Sequence, residues 1–143
     1  MIIVCLVSTT ELLLKIWPSS YHKKRYTPGN EETADTIGPR IYATYNPAFA
    51  VAHSFPWSSK DGIDIKIETD TSISIVIPKD KRAILNQEIC IYTLPDDTFV
   101  QTTEEESGLT YHSLTEVTPL NKEIFATVRL AMEHFGGHII EIE

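Results

Sequence analysis

The sequence predicts an α+β fold, with one domain spanning 1–143, a mostly antiparallel β-sheet and about three helices. Three observations lead to this prediction. The length of 143 residues and an apolar fraction of 42% are typical of one globular domain. Apolar and polar residues alternate over 63–67 and again over 73–77, which is typical of antiparallel strands with one solvated face. Helical patterns do not alternate regularly with strands, which argues against a parallel α/β sheet.

The first third of the chain predicts one strand, one helix and a long loop. Residues 2–7 are rich in Ile and Val and indicate a buried strand. Thr9 or Thr10 can cap a short helix over 11–16. Residues 18–39 carry prolines and glycines among polar residues, and loops of this length inside compact domains are usually functional or disordered.

The middle of the chain predicts a strand that leads into a capped helix. Residues 40–44 have strand character, and Asn46 followed by Pro47 offers an N-cap with proline at the first helical position. The helix should continue through Ala52 until Pro56. Between the two alternating segments, the dipeptide Asp70-Thr71 can form a hairpin turn.

The last third predicts three strands, a helix and a final strand. The strands are expected at 88–94, 98–102 and 109–114. Thr118 can cap a helix with Pro119 at its first position, ended by glycines 136 and 137, before a strand at 138–142. The residues expected on the buried face of this helix are Leu120, Ile124, Phe125, Val128, Met132 and Phe135.

Charge and cysteine content narrow the classes of partner. Twelve Lys and Arg stand against twenty Asp and Glu, and the resulting charge of −8 argues against nucleic acid as a partner. Cys5 and Cys90 are far apart in apolar stretches and should be buried, reduced thiols. We find no signal peptide and no membrane-spanning stretch, so we expect a cytoplasmic protein without a membrane partner.

Several standard catalytic and ligand-binding motifs are absent from the sequence. It contains no phosphate-binding glycine loop, no GxSxG elbow and no CxxC pair. His134 and His138 have the spacing of two metal ligands on one helix, but two glycines lie between them and no third ligand is obvious. We therefore predict no metal site.

Segment 38–53 carries a family resemblance. It is a GPRIYAT strand followed by a capped helix of small residues, and it resembles the second core strand and helix of the ADP-ribosyltransferase-like fold. The resemblance is to the branch with diphtheria-toxin-like and poly(ADP-ribose)-polymerase-like enzymes. In that branch the tyrosine and small residues cradle a nicotinamide ring. The resemblance thus implies NAD as the cofactor, with Tyr42, Thr44 and Ala48 among the cofactor-binding residues.

Two further segments are similar to motifs of that family. Its first strand ends in a His-Gly-Ser/Thr element. The present chain keeps Thr9 at the Ser/Thr position, which implies a cofactor-binding role, but has Val7 and Ser8 before it. The family's catalytic glutamate precedes a late apolar strand, and here Glu88 stands one residue out of step in Asn-Gln-Glu-Ile-Cys-Ile-Tyr. Glu88 is therefore the implied catalytic residue.

The chemistry of NAD cleavage explains these roles. The nicotinamide–ribose bond breaks through an oxocarbenium-like state, which needs a fixed ring and a nearby carboxylate. A valine in place of the histidine removes a hydrogen-bond donor and an acceptor. We therefore expect a NAD-binding relative with weak or lost transferase activity, and the sequence leaves open whether it is an enzyme. The alternative is a non-catalytic binding module that uses the 18–39 loop for a protein or small-molecule partner.

Overall fold

The structure is a computed structural model, and it describes residues 2–6, 41–103, 107–115 and 117–143. In these ranges, strands and a few short helices form a strand-rich α+β domain whose sheets are mostly antiparallel, which confirms the predicted fold class. The helix predicted at 11–16 and the loop predicted at 18–39 lie outside the described residues.

The described elements form three sheets of three strands each, in the orders β1-β5-β8, β2-β7-β6 and β3-β4-β9. Every pair is antiparallel except β4 with β9. The strands are β1 (Ile2–Leu6), β2 (Ile41–Ala43), β3 (Asp64–Ile67), β4 (Ile73–Pro78), β5 (Ile89–Leu94), β6 (Val100–Gln101), β7 (Tyr111–Ser113), β8 (Asn121–Phe125) and β9 (His138–Ile142). The helices are α1 (Pro47–Ala52) and α2 (Val128–His134), with 3₁₀ helices at Ser59–Asp61 and Lys79–Asn86.

Strand β5 separates two hydrophobic cores because it is apolar on both faces. Ile89 and Ile91 contribute to a first core together with α1, α2 and β4. Cys90, Tyr92 and Leu94 contribute to a second core together with β2. The sequence of an inner strand that is buried on both faces is a nearly continuous apolar run, and the sequence of β5 has this character. β5 therefore fixes β2 on one side and the two helices on the other.

The hairpin predicted around Asp70 is confirmed. β3 and β4 pair with Ile65 opposite Ile75, and the turn between them contains Thr71 at φ 65°. The two strands differ in burial, since β3 is largely exposed whereas Ile73, Ile75 and Ile77 of β4 are fully buried. The difference arises because β4 is an inner strand that also pairs with β9.

The helix predicted from Thr118 to 135 is wrong over its first half. Residues 121–125 form β8, and α2 begins only at Val128, with Thr127 as its N-cap. Because β1 covers only one edge of β5, the backbone N–H and C=O groups of its other edge need a partner, and β8 provides one. Leu120 and Ile124, expected on a buried helical face, are instead 59% and 53% exposed.

The glycines predicted to end this helix do so. Gly136 has φ 76°, and the Gly137 N–H donates to the Met132 carbonyl at 2.8 Å, as expected at a helix C-terminus. A Cβ placed on Gly137 would overlap Met132 Cε and would lie 3.2 Å from Ala48 Cβ. Gly137 therefore allows the chain just before β9 to pack closely against Met132 of α2 and Ala48 of α1.

Candidate functional site

The candidate site is an open cavity of about 360 Å³ at the junction of β2 and α1. We call it the tyrosine groove. Two tyrosine rings, a proline and a leucine give it an apolar wall, while hydroxyl and amide groups supply polar contacts, and none of the described side chains that line it is charged. Its lining residues are Thr44, Tyr45, Asn46, Pro47, Thr71, Gly108, Leu109 and Tyr111.

Tyr45 and Tyr111 form the aromatic wall of the groove. Their rings meet edge to face, with centroids 5.0 Å apart and an interplanar angle of 80°. The Tyr45 hydroxyl donates a hydrogen bond to Asp96 Oδ2 at 2.7 Å, which fixes the ring although 49% of Tyr45 is exposed. This bond raises the pKa of Tyr45 above its usual value and lowers the pKa of the Asp96 carboxyl. The hydrogen bond and the ring contact therefore hold the wall in place.

Asn46 joins the three elements that meet at the groove. Its Oδ1 accepts a hydrogen bond from the Phe49 N–H at 3.2 Å, so the predicted N-cap of α1 is confirmed. Its Nδ2 donates to the Thr71 carbonyl at 2.9 Å, and its own N–H donates to Thr44 Oγ1 at 3.1 Å. One side chain thus connects α1 to the β3–β4 turn.

The β3–β4 turn is held in its shape by Asp70. The Asp70 carboxylate accepts hydrogen bonds from the Ser72 hydroxyl at 2.7 Å and from the Ser72 N–H at 3.1 Å. Both bonds favour the ionised form and lower the pKa of Asp70. Thr71 between them has φ 65°, a region that β-branched residues rarely adopt. The turn therefore presents the Thr71 carbonyl to Asn46 in a fixed position.

The family resemblance implies a set of site residues, and the structure places only some of them at the groove. Thr44 lines it directly. Tyr42 is 2% exposed and lies two residues earlier, so the alternation of an extended strand places it on the same side as Thr44. Ala48 is buried in the first core, where it lies against Gly137. Thr9 lies outside the described residues.

Glu88, the implied catalytic residue, does not lie at the groove. It is exposed and directly precedes β5, whereas Asp96, which bonds the groove residue Tyr45, follows the other end of β5. The six residues of β5 span about 17 Å at about 3.3 Å per residue. The groove and Glu88 are therefore separated by roughly the length of that strand.

Sequence reasoning did not identify the aromatic wall or the polar residues behind it. Tyr45 and Asp96 are 51 residues apart, and no local pattern connects them. Behind the groove, Tyr42 contacts the His112 ring at 6.4 Å between centroids, and Thr102 Oγ1 bonds His112 Nδ1 at 2.7 Å. A buried histidine in the middle of a three-residue strand carries no distinguishing sequence signal.

No protein-family model, curated protein or solved structure matches the chain. The resemblance to the ADP-ribosyltransferase-like fold rests on sequence motifs alone and stays a prediction. Within 41–103, 107–115 and 117–143, no three His, Cys, Asp or Glu side chains are placed to hold a metal ion. In the same part of the chain, no helix is long and apolar enough to cross a membrane.

Proposed function

We propose that the protein binds a nucleoside of NAD, nicotinamide riboside or adenosine, in the tyrosine groove. We also propose that it does so without transferase chemistry. The observation that carries the proposal is the fixed pair of rings, Tyr45 and Tyr111, beside the polar groups of Thr44 and Asn46. Ligand sites are typically apolar concavities of about 300–1,000 Å³ with a few placed polar groups. The groove volume of about 360 Å³ suits a nucleoside rather than a whole dinucleotide.

The charge around the groove also favours binding of a nucleoside over binding of the pyrophosphate. None of the lining residues that the structure describes is cationic, and the chain carries a net charge of −8. A pyrophosphate would therefore gain no ion pair there and would meet an unfavourable field. We expect NAD and nicotinamide riboside to bind with similar affinity, because the added phosphates contribute little.

The position of the carboxylates supports binding without turnover. Cleavage of the nicotinamide–ribose bond needs a carboxylate near the developing positive charge. Glu88 lies beyond the far end of β5, and the Asp96 carboxylate accepts the Tyr45 hydroxyl. This arrangement agrees with the weak or lost activity expected from Val7 in place of the family histidine.

Ligand-observed NMR tests both binding and turnover. NAD, nicotinamide riboside and adenosine are titrated separately, and free nicotinamide is followed over hours. We expect binding by the native chain and by Glu88→Gln, loss of binding in Tyr111→Ala, and no nicotinamide release. A thermal melt of Tyr111→Ala checks that it is folded.

Three results would overturn the proposal. One is the absence of binding at millimolar concentrations of all three ligands. Another is binding that survives Tyr111→Ala, because the ring would then not form the site. The third is nicotinamide release that disappears in Glu88→Gln, which would show an active transferase.

A further inference from the structure

A second cavity of about 360 Å³ lies where the 3₁₀ helix Lys79–Asn86, α2 and β9 meet. We call it the arginine cavity, and its lining residues are Arg82, Asn86, Arg129 and Glu141. The arginine cavity lies beyond the C-terminal end of β4, whereas Thr71 of the tyrosine groove lies before the N-terminal end of that strand. The two sites are therefore separated by the length of β4, about 17 Å at about 3.3 Å per residue.

Two guanidinium groups share one carboxylate oxygen in the arginine cavity, and neither is well satisfied by it. Arg129 Nη2 lies 3.4 Å from Glu141 Oε1, and Arg82 Nη1 lies 3.9 Å from the same oxygen. Charge-assisted N–H···O bonds are usually about 2.7–2.9 Å long, so the first contact is long and the second is not a hydrogen bond. Each guanidinium carries five N–H donors. Most of these donors have no partner among the described residues and face solvent, since the side chains of Arg82 and Arg129 are 63% and 40% exposed.

The local charge of the arginine cavity is opposite to that of the chain. Arg82 and Arg129 against Glu141 leave one net positive charge, whereas the chain carries −8. Lys79 nearby is already paired with Glu143 at 2.6 Å. A net cationic cavity in an acidic protein attracts anions locally. The Asn86 side chain adds an uncharged donor to the lining.

We propose that the arginine cavity binds the phosphate group of a small phosphate monoester. The planar fork of a guanidinium matches two phosphate oxygens, and a phosphate dianion can engage two such forks at once. Glu141, whose side chain is 28% exposed, holds the two guanidiniums near each other and also competes with the ligand for them. This site is independent of the nucleoside site proposed for the tyrosine groove.

Backbone ¹H–¹⁵N NMR spectra test the proposal with inorganic phosphate, AMP and adenosine at fixed ionic strength, so that screening stays constant. We expect saturable shifts at the amides of Arg82, Asn86 and Arg129 with phosphate and AMP, and none there with adenosine. Adenosine should shift only amides of the tyrosine groove, so the two proposals can fail separately.

Charge-altering variants give the sharper test. The double variant Arg82→Gln/Arg129→Gln should lose the phosphate shifts. Lys66→Gln, which removes an exposed ion pair with Glu68, is the matched control and should keep them. Glu141→Gln should bind the phosphate dianion about 30-fold more tightly, since it removes one negative charge about 4 Å from a doubly charged ligand in a high dielectric.

A purely structural ion-pair cluster would behave differently. It would give no saturable phosphate shifts in either the native chain or Glu141→Gln. Shifts that survive the double arginine substitution, weaker binding in Glu141→Gln, or binding of inorganic phosphate without AMP would also overturn the proposal.

Discussion

Asn46 should contribute to stability through two separable hydrogen bonds, and removing both should lower the free energy of unfolding by about 2 kcal/mol. Loss of an N-cap side chain costs about 1 kcal/mol. The bond from Nδ2 to the Thr71 carbonyl is exposed and should add about 0.5–1 kcal/mol. Asn46→Ala loses both bonds, whereas Asn46→Ser keeps a cap and loses only the contact with Thr71.

Urea unfolding at neutral pH measures both variants by the shift of the midpoint at constant slope. Asn46→Ser should lose about half as much free energy as Asn46→Ala, and each kcal/mol should lower the melting temperature by about 3–4 °C in a chain of this size. Asn46→Asp keeps the cap but places a carboxylate against the Thr71 carbonyl, so it should be no more stable than Asn46→Ser. Equal losses for the serine and alanine variants would refute the two-bond account, as would a loss below about 0.5 kcal/mol for alanine.

Three further predictions follow from other sites. Gly137→Ala should destabilise the protein by about 1–3 kcal/mol, because its Cβ would overlap the fully buried Met132 side chain and crowd Ala48; a urea midpoint equal to that of the native chain would contradict this. The Asp96 pKa is lowered, so its contribution to stability is present above the unfolded value of about 3.9 and is lost as pH falls through the folded pKa. Tyr45→Phe should raise that pKa in a carboxyl NMR titration, and an unchanged value would show that the hydroxyl is not the cause. Cys90 is fully buried, and burial raises the pKa of its thiol. In a Cys5→Ser background, iodoacetamide should therefore label Cys90 only as urea unfolds the chain. Labelling at the rate of an exposed thiol would contradict its burial.

Elements with local signals could be predicted from the sequence. The cap at Asn46 and the turn at Asp70 depend on side chains that bond backbone groups two or three residues away. Gly136 is similar, because a left-handed backbone at a helix end requires little beyond the glycine itself. Such features do not depend on the rest of the fold, so a single sequence is enough to find them.

Elements that depend on distant partners could not be predicted. The apolar spacing around Leu120 and Ile124 fits a helix. The segment instead pairs with the open edge of β5 and forms β8. The same limit applies to the site. Thr44 was identified from its own segment, whereas Tyr111 and Asp96 reach the groove only through the folding of β5 and β7 around β2. Tertiary pairing overrides local propensity in both cases.

The most direct test of the nucleoside site is a backbone NMR map of nicotinamide riboside binding. The account predicts saturable shifts at the amides of Thr44, Asn46 and Leu109, with an affinity close to that of NAD, and loss of these shifts in Tyr111→Ala. Shifts that cluster around Glu88 instead, or no saturable shift at millimolar ligand, would contradict it.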